Sequence, residues 1–216
     1  SGARRKGFTL IELMITVVIV AIGVVLAVPT YQNTVQKRRL TDAAESIAAF
    51  LALAQGEAIK RNETIAVSFE RENDGKTWCL GAMIQTAGTD YCDCESTSTG
   101  DDDYCDFNPG GAGAPQIINQ VGFESFTMNG SWEGGSPDND FQLYFDPVRG
   151  VKVDSSGVVD GNTHRARLVS DNSKYSLQVE ISVTGRILVC NPVSDKKVPG
   201  FKNCAALPAP PPALPI

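Results

Sequence analysis

The sequence predicts an α+β fold, in which one long N-terminal helix packs on an antiparallel β-sheet head. Residues 8–62 predict the helix, because an unbroken apolar run is followed there by an amphipathic stretch. After residue 63 the hydrophobic period changes to two, which is typical of strands. The chain therefore divides into a helix over 8–62, a β-rich head over 63–206 and a proline-rich tail over 207–216.

The apolar run from Phe8 to Val28 has about the length of a helix that crosses a bilayer core. Arg4, Arg5 and Lys6 precede it, and such a basic flank stays in the cytoplasm while the rest is sent outward. A secretory signal would have a shorter apolar region with a small-residue cleavage site after it. We therefore predict a transmembrane segment over 8–28 and a head outside the cytoplasm.

Glu12 lies inside this apolar run. A charged side chain there costs on the order of 2.5–3.5 kcal/mol on insertion scales, which makes Glu12 a functional candidate by default. If the chain is cut after Gly7, the new amine on Phe8 lies on the same helix face as Glu12. The alternative is a one-pass anchor that carries a chance glutamate.

The residues Lys6-Gly7-Phe8-Thr9-Leu10-Ile11-Glu12-Leu13 resemble the class III signal of type IV pilins and type II secretion pseudopilins. The resemblance implies that a prepilin peptidase cuts after Gly7, so that residues 1–7 are a leader, and that Phe8 is then N-methylated. It also implies that Glu12 neutralises the N-terminal amine of a neighbouring subunit during assembly. Pro29 matches the family proline that bends the helix, as the missing N–H of proline leads us to expect.

The second half of the predicted helix has one apolar face and ends near Lys60-Arg61-Asn62, where cations suit a helix C-terminus. Its apolar residues recur at steps of three and four, and they are Leu40, Ala43, Ala44, Ile47, Phe50, Leu51, Ala54 and Ala58. This face is expected to form the core between the helix and the head.

Alternating apolar residues predict the strands of the head. The segments that alternate are Ile65–Phe69, Phe141–Phe145 and Leu177–Val183, with weaker candidates at Thr77–Ile84 and Gly122–Met128. Thr184-Gly185 separates Leu177–Val183 from Ile187–Cys190, which predicts a hairpin.

The head resembles the GspH/FimT branch of minor pilins through three segments, Trp78–Gly81, Phe145–Gly150 and Ser182–Arg186. The resemblance implies two antiparallel sheets packed against the helix. Some members of this branch bind DNA through a Gly-Arg-x-Arg arrangement, which corresponds here to Gly185-Arg186-Ile187-Leu188. Arg186 is thus a possible DNA-binding residue, which Arg149, Arg165 and Arg167 would join if they met in space.

The charge balance opposes nucleic acid as a partner. The net charge is −6, and setting aside the three positive charges of Arg4–Lys6 leaves −9 on the remaining chain. A strongly acidic body does not attract DNA or anionic lipid by its field. A structural subunit is therefore the favoured function, and a DNA- or substrate-binding subunit displayed on the filament is the alternative.

All of the cysteines follow residue 78. An even number confined to one polar region favours disulfides over zinc, which would require CxxC pairs or nearby histidines. Fifteen pairings are open, although neighbouring Cys92 and Cys94 should pair outward and Cys190 with Cys204 would close a loop. That loop resembles the disulfide-bounded C-terminal loop of pilins. The six candidates are Cys79, Cys92, Cys94, Cys105, Cys190 and Cys204.

The insertion over residues 88–115 is acidic, but Asp101-Asp102-Asp103 lacks the alternating spacing of a calcium-binding loop, so we expect a solvated loop without metal. The lone His164 has no nucleophile motif near it, and no catalytic residue or cofactor is predicted. The sequence thus predicts a minor pilin or pseudopilin that primes or caps a filament. Its expected partners are other subunits, the prepilin peptidase and inner-membrane lipid, with the head in the periplasm.

Overall fold

The computed structural model describes residues 9–72, 75–86, 91–96, 103–107, 114–123, 126–132, 141–171, 173–193 and 196–204. Side chains at positions 26–30, 72 and 129–132 are not among those described. The chain contains two compact units, residues 1–38 and residues 39–216.

Helix α1 spans Leu10–Arg61 and is capped at both ends. At the start, the hydroxyl of Thr9 accepts a hydrogen bond from the Glu12 N–H at 3.3 Å, which satisfies one of the free amides of the first turn. At the end, Asn62 adopts a left-handed conformation with φ of 55°, and the Glu63 N–H donates to the Ala58 carbonyl at 3.3 Å. This Schellman-type cap explains why the helix stops at the predicted place.

In the first unit, the described side chains of α1 from Leu10 to Val25 are exposed. Leu10 is 78% exposed and Val25 is 71% exposed, although almost every residue between them is apolar. None of the described helical stretches combines the length and the hydropathy of a bilayer-spanning segment. The predicted transmembrane segment includes Phe8, and it also includes side chains at 26–28 that are not described.

The second unit contains the rest of α1 and two antiparallel sheets. The strands are β1 (Ile65–Glu72), β2 (Thr77–Ile84), β3 (Ile117–Asn119), β4 (Phe126–Trp132), β5 (Phe141–Phe145), β6 (Lys152–Val153), β7 (His164–Ser170), β8 (Ser176–Ile181) and β9 (Ile187–Cys190). The first sheet has the order β3-β2-β1-β5-β6 and the second has the order β4-β7-β8-β9. The predicted α+β class with two antiparallel sheets is confirmed.

The predicted apolar face of α1 lies in the core with the inner faces of both sheets. Leu40, Ala43, Ala44, Ile47, Leu51, Ala54 and Ala58 are at most 1% exposed, and Phe50 is partly buried. A smaller cluster covers the other face of the first sheet and contains Ala66, Met83, Tyr144, Val153 and four cysteines. Because the first sheet is buried on both faces, Ala66 and Ser68 of β1 are as buried as Ile65 and Val67.

Some strand boundaries differ from the sequence prediction. Gly122 and Phe123 are not in a strand, because the chain turns at Gly122, where φ is 87°, before β4 begins at Phe126. Strand β8 ends at Ile181, because the Ser182 N–H already bonds to the Arg186 carbonyl across the hairpin turn. The sequence prediction missed β3, β6 and β7, of which β3 and β6 are too short to show a period.

Candidate assembly helix and head surfaces

The first turn of α1 places one carboxylate among apolar side chains. Glu12 is exposed, and Ile11 and Leu13 beside it are 64% and 59% exposed. Thr9 and Glu12 stand in the spacing of a capping box, and the Thr9 half of that box is formed. The predicted cleavage residues Gly7 and Phe8 precede the described residues, so the pairing of a Phe8 amine with Glu12 stays a prediction. Pro29 lies within the bounds of α1, and its predicted kink also stays a prediction.

Disulfides connect all six cysteines. This agrees with the sequence prediction, which favoured disulfides over a zinc site. The pairs are Cys79–Cys94, Cys92–Cys105 and Cys190–Cys204. Cys92 and Cys94 pair outward, with different partners, and the Cys190–Cys204 bridge closes the expected C-terminal loop. Among the described residues, two groups have metal-ligand spacing, but each consists of one disulfide and one glutamate, and disulfide sulfurs are not thiolate ligands.

The Cys79–Cys94 bridge joins the acidic insertion to β2, and the Cys92–Cys105 bridge, which lies within the insertion, packs against β2 at Gly81. A Cβ atom added to Gly81 would lie 2.6 Å from the Cys92 sulfur and closer still to the Cys105 sulfur. The insertion is also bonded to the sheet through the Cys92 N–H, which donates to the buried Ser68 hydroxyl at 3.2 Å. Only glycine at position 81 therefore leaves room for the Cys92–Cys105 bridge. Asp101 and Asp102 of the insertion lie outside the described residues.

Gln55 of α1 joins two loops of the head. Its side-chain amide donates to the Gly150 carbonyl at 2.6 Å and to the Gly185 carbonyl at 3.1 Å. Gly185 has φ of 76°, and a Cβ atom there would overlap the Gly150 carbonyl. Arg149 directly precedes Gly150, and Arg186 directly follows Gly185. Both arginines are exposed, so the two loops bring them to one part of the surface.

The structure does not gather all four arginines into one free basic patch. Arg165, on β7, is mostly buried and pairs with Glu180 across to β8 at 3.1 Å. Arg149 pairs with Asp146 at 3.4 Å, and the Arg149 and Val148 amides also bond to that carboxylate. These bonds, led by the one from the Arg149 amide, lower the pKa of Asp146 despite some burial. Arg186 is therefore the exposed member of the predicted set that lacks a carboxylate partner among the described residues.

A buried polar cluster surrounds His164, which the sequence prediction treated as isolated. Lys152 is wholly buried, and its Nζ donates to the carboxylate and the carbonyl oxygen of Asp160. The Nδ1 atom of His164 lies 3.7 Å from the same carboxylate. The missed signal was the alternation along β7, in which His164, Ala166, Leu168 and Ser170 are buried and the residues between them are not.

Burial governs the electrostatics of this cluster. Burial, together with the charge of Lys152, lowers the pKa of His164 to about 4. Burial also lowers the pKa of Lys152, against the opposing effect of Asp160. For Asp160, burial would raise the pKa, but hydrogen bonds from Lys152 and the Asn162 amide outweigh it and the pKa is lowered. At neutral pH the cluster is thus a buried ion pair beside a neutral imidazole.

Comparison with known families shows to which family this chain belongs. The family described as type II transport protein GspH matches residues 43–185, which is more than half of the chain. The chain belongs to the GspH family. The prokaryotic N-terminal methylation motif matches residues 2–28, so the family resemblance predicted from the sequence is confirmed for the N-terminal segment and for residues 43–185. The two matches place this GspH-family chain among processed proteins of the cell envelope or of pili.

Individual relatives of this GspH-family chain match over shorter stretches. An uncharacterised protein of Haemophilus influenzae is 31% identical over 90 residues, which cover 42% of this chain and 52% of the relative. A fimbrial protein of Pseudomonas aeruginosa is 36% identical over 62 residues, covering 29% and 40%. The prepilin peptidase-dependent protein D of Escherichia coli K12 is 49% identical over 39 residues, covering 18% and 27%. The chain thus spans about half or less of the length of these curated relatives.

Two solved structures resemble the GspH-family chain at low identity. The type IV minor pilin FimU of Pseudomonas aeruginosa is 19% identical with a TM-score of 0.43, over 70% of this chain and 88% of FimU. The minor pseudopilin EpsH of the Vibrio cholerae type 2 secretion system is 13% identical with a TM-score of 0.43, over 72% and 98%.

Proposed function

We propose that this chain is a minor pilin or pseudopilin, a structural subunit that primes or caps a type IV pilus or a type II secretion pseudopilus, and not an enzyme. The observation that carries the proposal is the exposed apolar stretch of α1 from Leu10 to Val25, with a single carboxylate at Glu12. Exposed apolar surface on this scale marks a contact with lipid or with other proteins. Head-to-tail packing of such helices generates a helical filament.

Processing at the N-terminus prepares the chain for assembly. A prepilin peptidase removes residues 1–7, and the new Phe8 amine is N-methylated. Glu12 of one subunit then pairs with the Phe8 amine of a neighbour, which offsets the cost of burying either charge in an apolar core. The match to the methylation motif over residues 2–28 supports this proposal.

Before assembly, residues 8–28 lie in the bacterial inner membrane and the head lies in the periplasm. Arg4, Arg5 and Lys6 support this orientation, because basic flanks stay on the cytoplasmic side. The three disulfides support it independently, since such bonds persist in oxidising compartments. The helix accordingly contacts lipid before assembly and other subunits after it.

The substitution Glu12→Gln tests the assembly step. It keeps the size and the helical capping geometry of the side chain but removes the charge that would pair with the amine. We expect the variant to be processed and inserted normally and to be lost from sheared filament fractions. Glu45→Gln is the matched control, because Glu45 is also an exposed glutamate on α1, in the half that packs on the head.

Two measurements test the proposed processing at Phe8 and the proposed pairing of Glu12. Intact-mass analysis of the mature protein should show a chain that begins at methylated Phe8, and any other N-terminus contradicts the processing step. Filaments that incorporate the Glu12→Gln variant as well as the Glu45→Gln control would contradict the proposed pairing.

The second candidate function is capture of DNA or of a secreted substrate by a head displayed on the filament. The exposed Arg186, held beside Arg149 through the Gln55 bridge between their loops, supports it. Each phosphate that a cation neutralises adds to affinity, and the binding weakens steeply with salt. A mobility shift at low salt that Arg186→Ala abolishes would favour this function, and the absence of any shift by the parent protein would exclude DNA.

A further inference from the structure

Within the part of the chain that the structure describes, the first sheet has an open edge beside the first half of β5. On one side, β5 pairs with β1 over the whole length of β5, whereas on the other side β6 pairs only with Tyr144 and Phe145. Beyond Val153 the chain turns away from β5 through residues 154–158, and Val153 also pairs with Val159. No strand in the described part of the chain therefore lies along Phe141–Leu143 on this side.

The hydrogen-bonding pattern of β5 shows in which direction the backbone N–H and C=O of Gln142 point at this edge. The Asp146 N–H donates to the Val151 carbonyl at 2.9 Å, on the side of β6. Backbone groups of an antiparallel strand alternate between its two sides, so Gln142, four residues earlier, directs its N–H and C=O toward the same side. Gln142 is exposed, and the structure contains no bond from its backbone to another described residue on that side.

A groove of about 620 Å³ follows the open edge. Its apolar walls are formed by Phe141, Tyr144, Val153 and Val159, of which Val159 is 43% exposed. This volume lies in the range of about 300–1,000 Å³ that is common for binding sites. Apolar walls beside unpaired backbone groups are the combination that binds an extended chain by strand addition.

The polar lining of the groove is acidic and incompletely paired. Lys152 neutralises Asp160, but Asp154 has only backbone N–H donors, from Ser156 and Val158, and no cationic partner among the described residues. His164 also lines the groove and is only 4% exposed, and its Nδ1 has no hydrogen-bond partner in the described part of the chain. Buried polar atoms of this kind normally have a partner.

We propose that this groove binds an extended segment of another polypeptide, which adds to the edge of β5 as a strand and places a basic side chain near Asp154. Hydrogen bonds to the Gln142 backbone align the segment, and alternate apolar side chains contact Tyr144 and Val159. The net negative charge of the lining selects lysine or arginine over acidic residues. Binding here does not depend on filament assembly, so the two proposals can fail separately.

The experiment uses the full chain in detergent micelles and a fluorescently labelled peptide of about six residues that alternates valine and lysine. Fluorescence anisotropy measures the binding. Two control peptides replace lysine by glutamate or replace alternate residues by proline, which cannot donate to a strand. We expect saturable binding of the valine–lysine peptide and at least about tenfold weaker binding of both controls, the effect of losing one favourable interaction.

Two substitutions of Gln142 distinguish the contribution of its backbone N–H to peptide binding from that of its side chain. Gln142→Pro removes an N–H that does not bond to β1, and proline is tolerated at such edge positions. Gln142→Ala is the matched control, because it keeps the N–H and loses only the side chain. We expect at least about tenfold weaker peptide binding by the proline variant and nearly unchanged binding by the alanine variant. Asp154→Asn should reduce the preference for lysine over glutamate peptides.

Two results would overturn the proposal: no saturable binding of the valine–lysine peptide by the parent protein, or equal binding by Gln142→Pro and the parent. If the proline variant does not fold, amide exchange of the parent protein decides instead. The Gln142 amide should then exchange more slowly when peptide is added, and unchanged exchange would contradict strand addition.

Discussion

The substitution Gly81→Ala should disrupt the attachment of the disulfide-linked insertion to the sheet. The new methyl group would lie 2.6 Å from the Cys92 sulfur and closer to the Cys105 sulfur, and both cysteines are almost completely buried. Overpacking of this kind costs about 1–3 kcal/mol. A displaced Cys92–Cys105 bridge would cost more, since a bridge that closes a loop of this size contributes about 3 kcal/mol.

The assay is urea denaturation of the parent and variant chains in mild detergent, with and without reductant, together with a count of free thiols. We expect the Gly81→Ala variant to lose at least about 1 kcal/mol in the oxidised state and less in the reduced state, because unbridged sulfurs can move aside. Gly161→Ala is the control, since a Cβ atom there meets nothing within 4 Å, and it should change stability by less than about 0.5 kcal/mol.

Unfolding of Gly81→Ala at the same urea concentration as the parent protein, with the same three bridges, would show that the bridge does not fill the space beside Gly81. An equal penalty in the oxidised and reduced states would show that the cost does not arise from contact with the bridge.

Three further predictions concern the second unit. Because the pKa of His164 is about 4 in the folded chain against an ordinary 6.5, the unfolded state binds the extra proton, and stability should fall by about 3 kcal/mol as pH falls from 6.5 to 4. Unfolding midpoints across this range should show the loss, and His164→Gln should flatten it. Gly185→Ala should destabilise the chain more than Gly157→Ala, because both glycines have positive φ but only Gly185 abuts the Gly150 carbonyl. Equal midpoints in thermal unfolding would contradict this. Replacing Cys190 and Cys204 together by serine should cost about 3 kcal/mol in urea denaturation, and an unchanged midpoint would show that the loop they close is already constrained without the bridge.

Much of the fold could be predicted from local periodicity. The face of α1 that contains Leu40, Ile47 and Leu51 was evident from steps of three and four, and it is buried. The hairpin of β8 and β9 was evident because Thr184-Gly185 separates the alternating segment Leu177–Val183 from the apolar segment Ile187–Cys190. In β7, by contrast, the arginines between buried residues concealed the alternation, and His164 looked solitary in a polar stretch.

Local sequence patterns were enough to indicate the kind of protein, because the apolar run with Glu12, the amphipathic second half of the helix and the alternating strands are all patterns between near neighbours. The tertiary structure decided what depends on distant residues. It selected one of the possible cysteine pairings, placed Lys152 and Asp160 beside His164, and put Arg149 and Arg165 in ion pairs while leaving Arg186 exposed. It also left the edge of β5 open as far as the described residues extend. These features arise because the chain brings together segments whose separation in sequence carries no local signal.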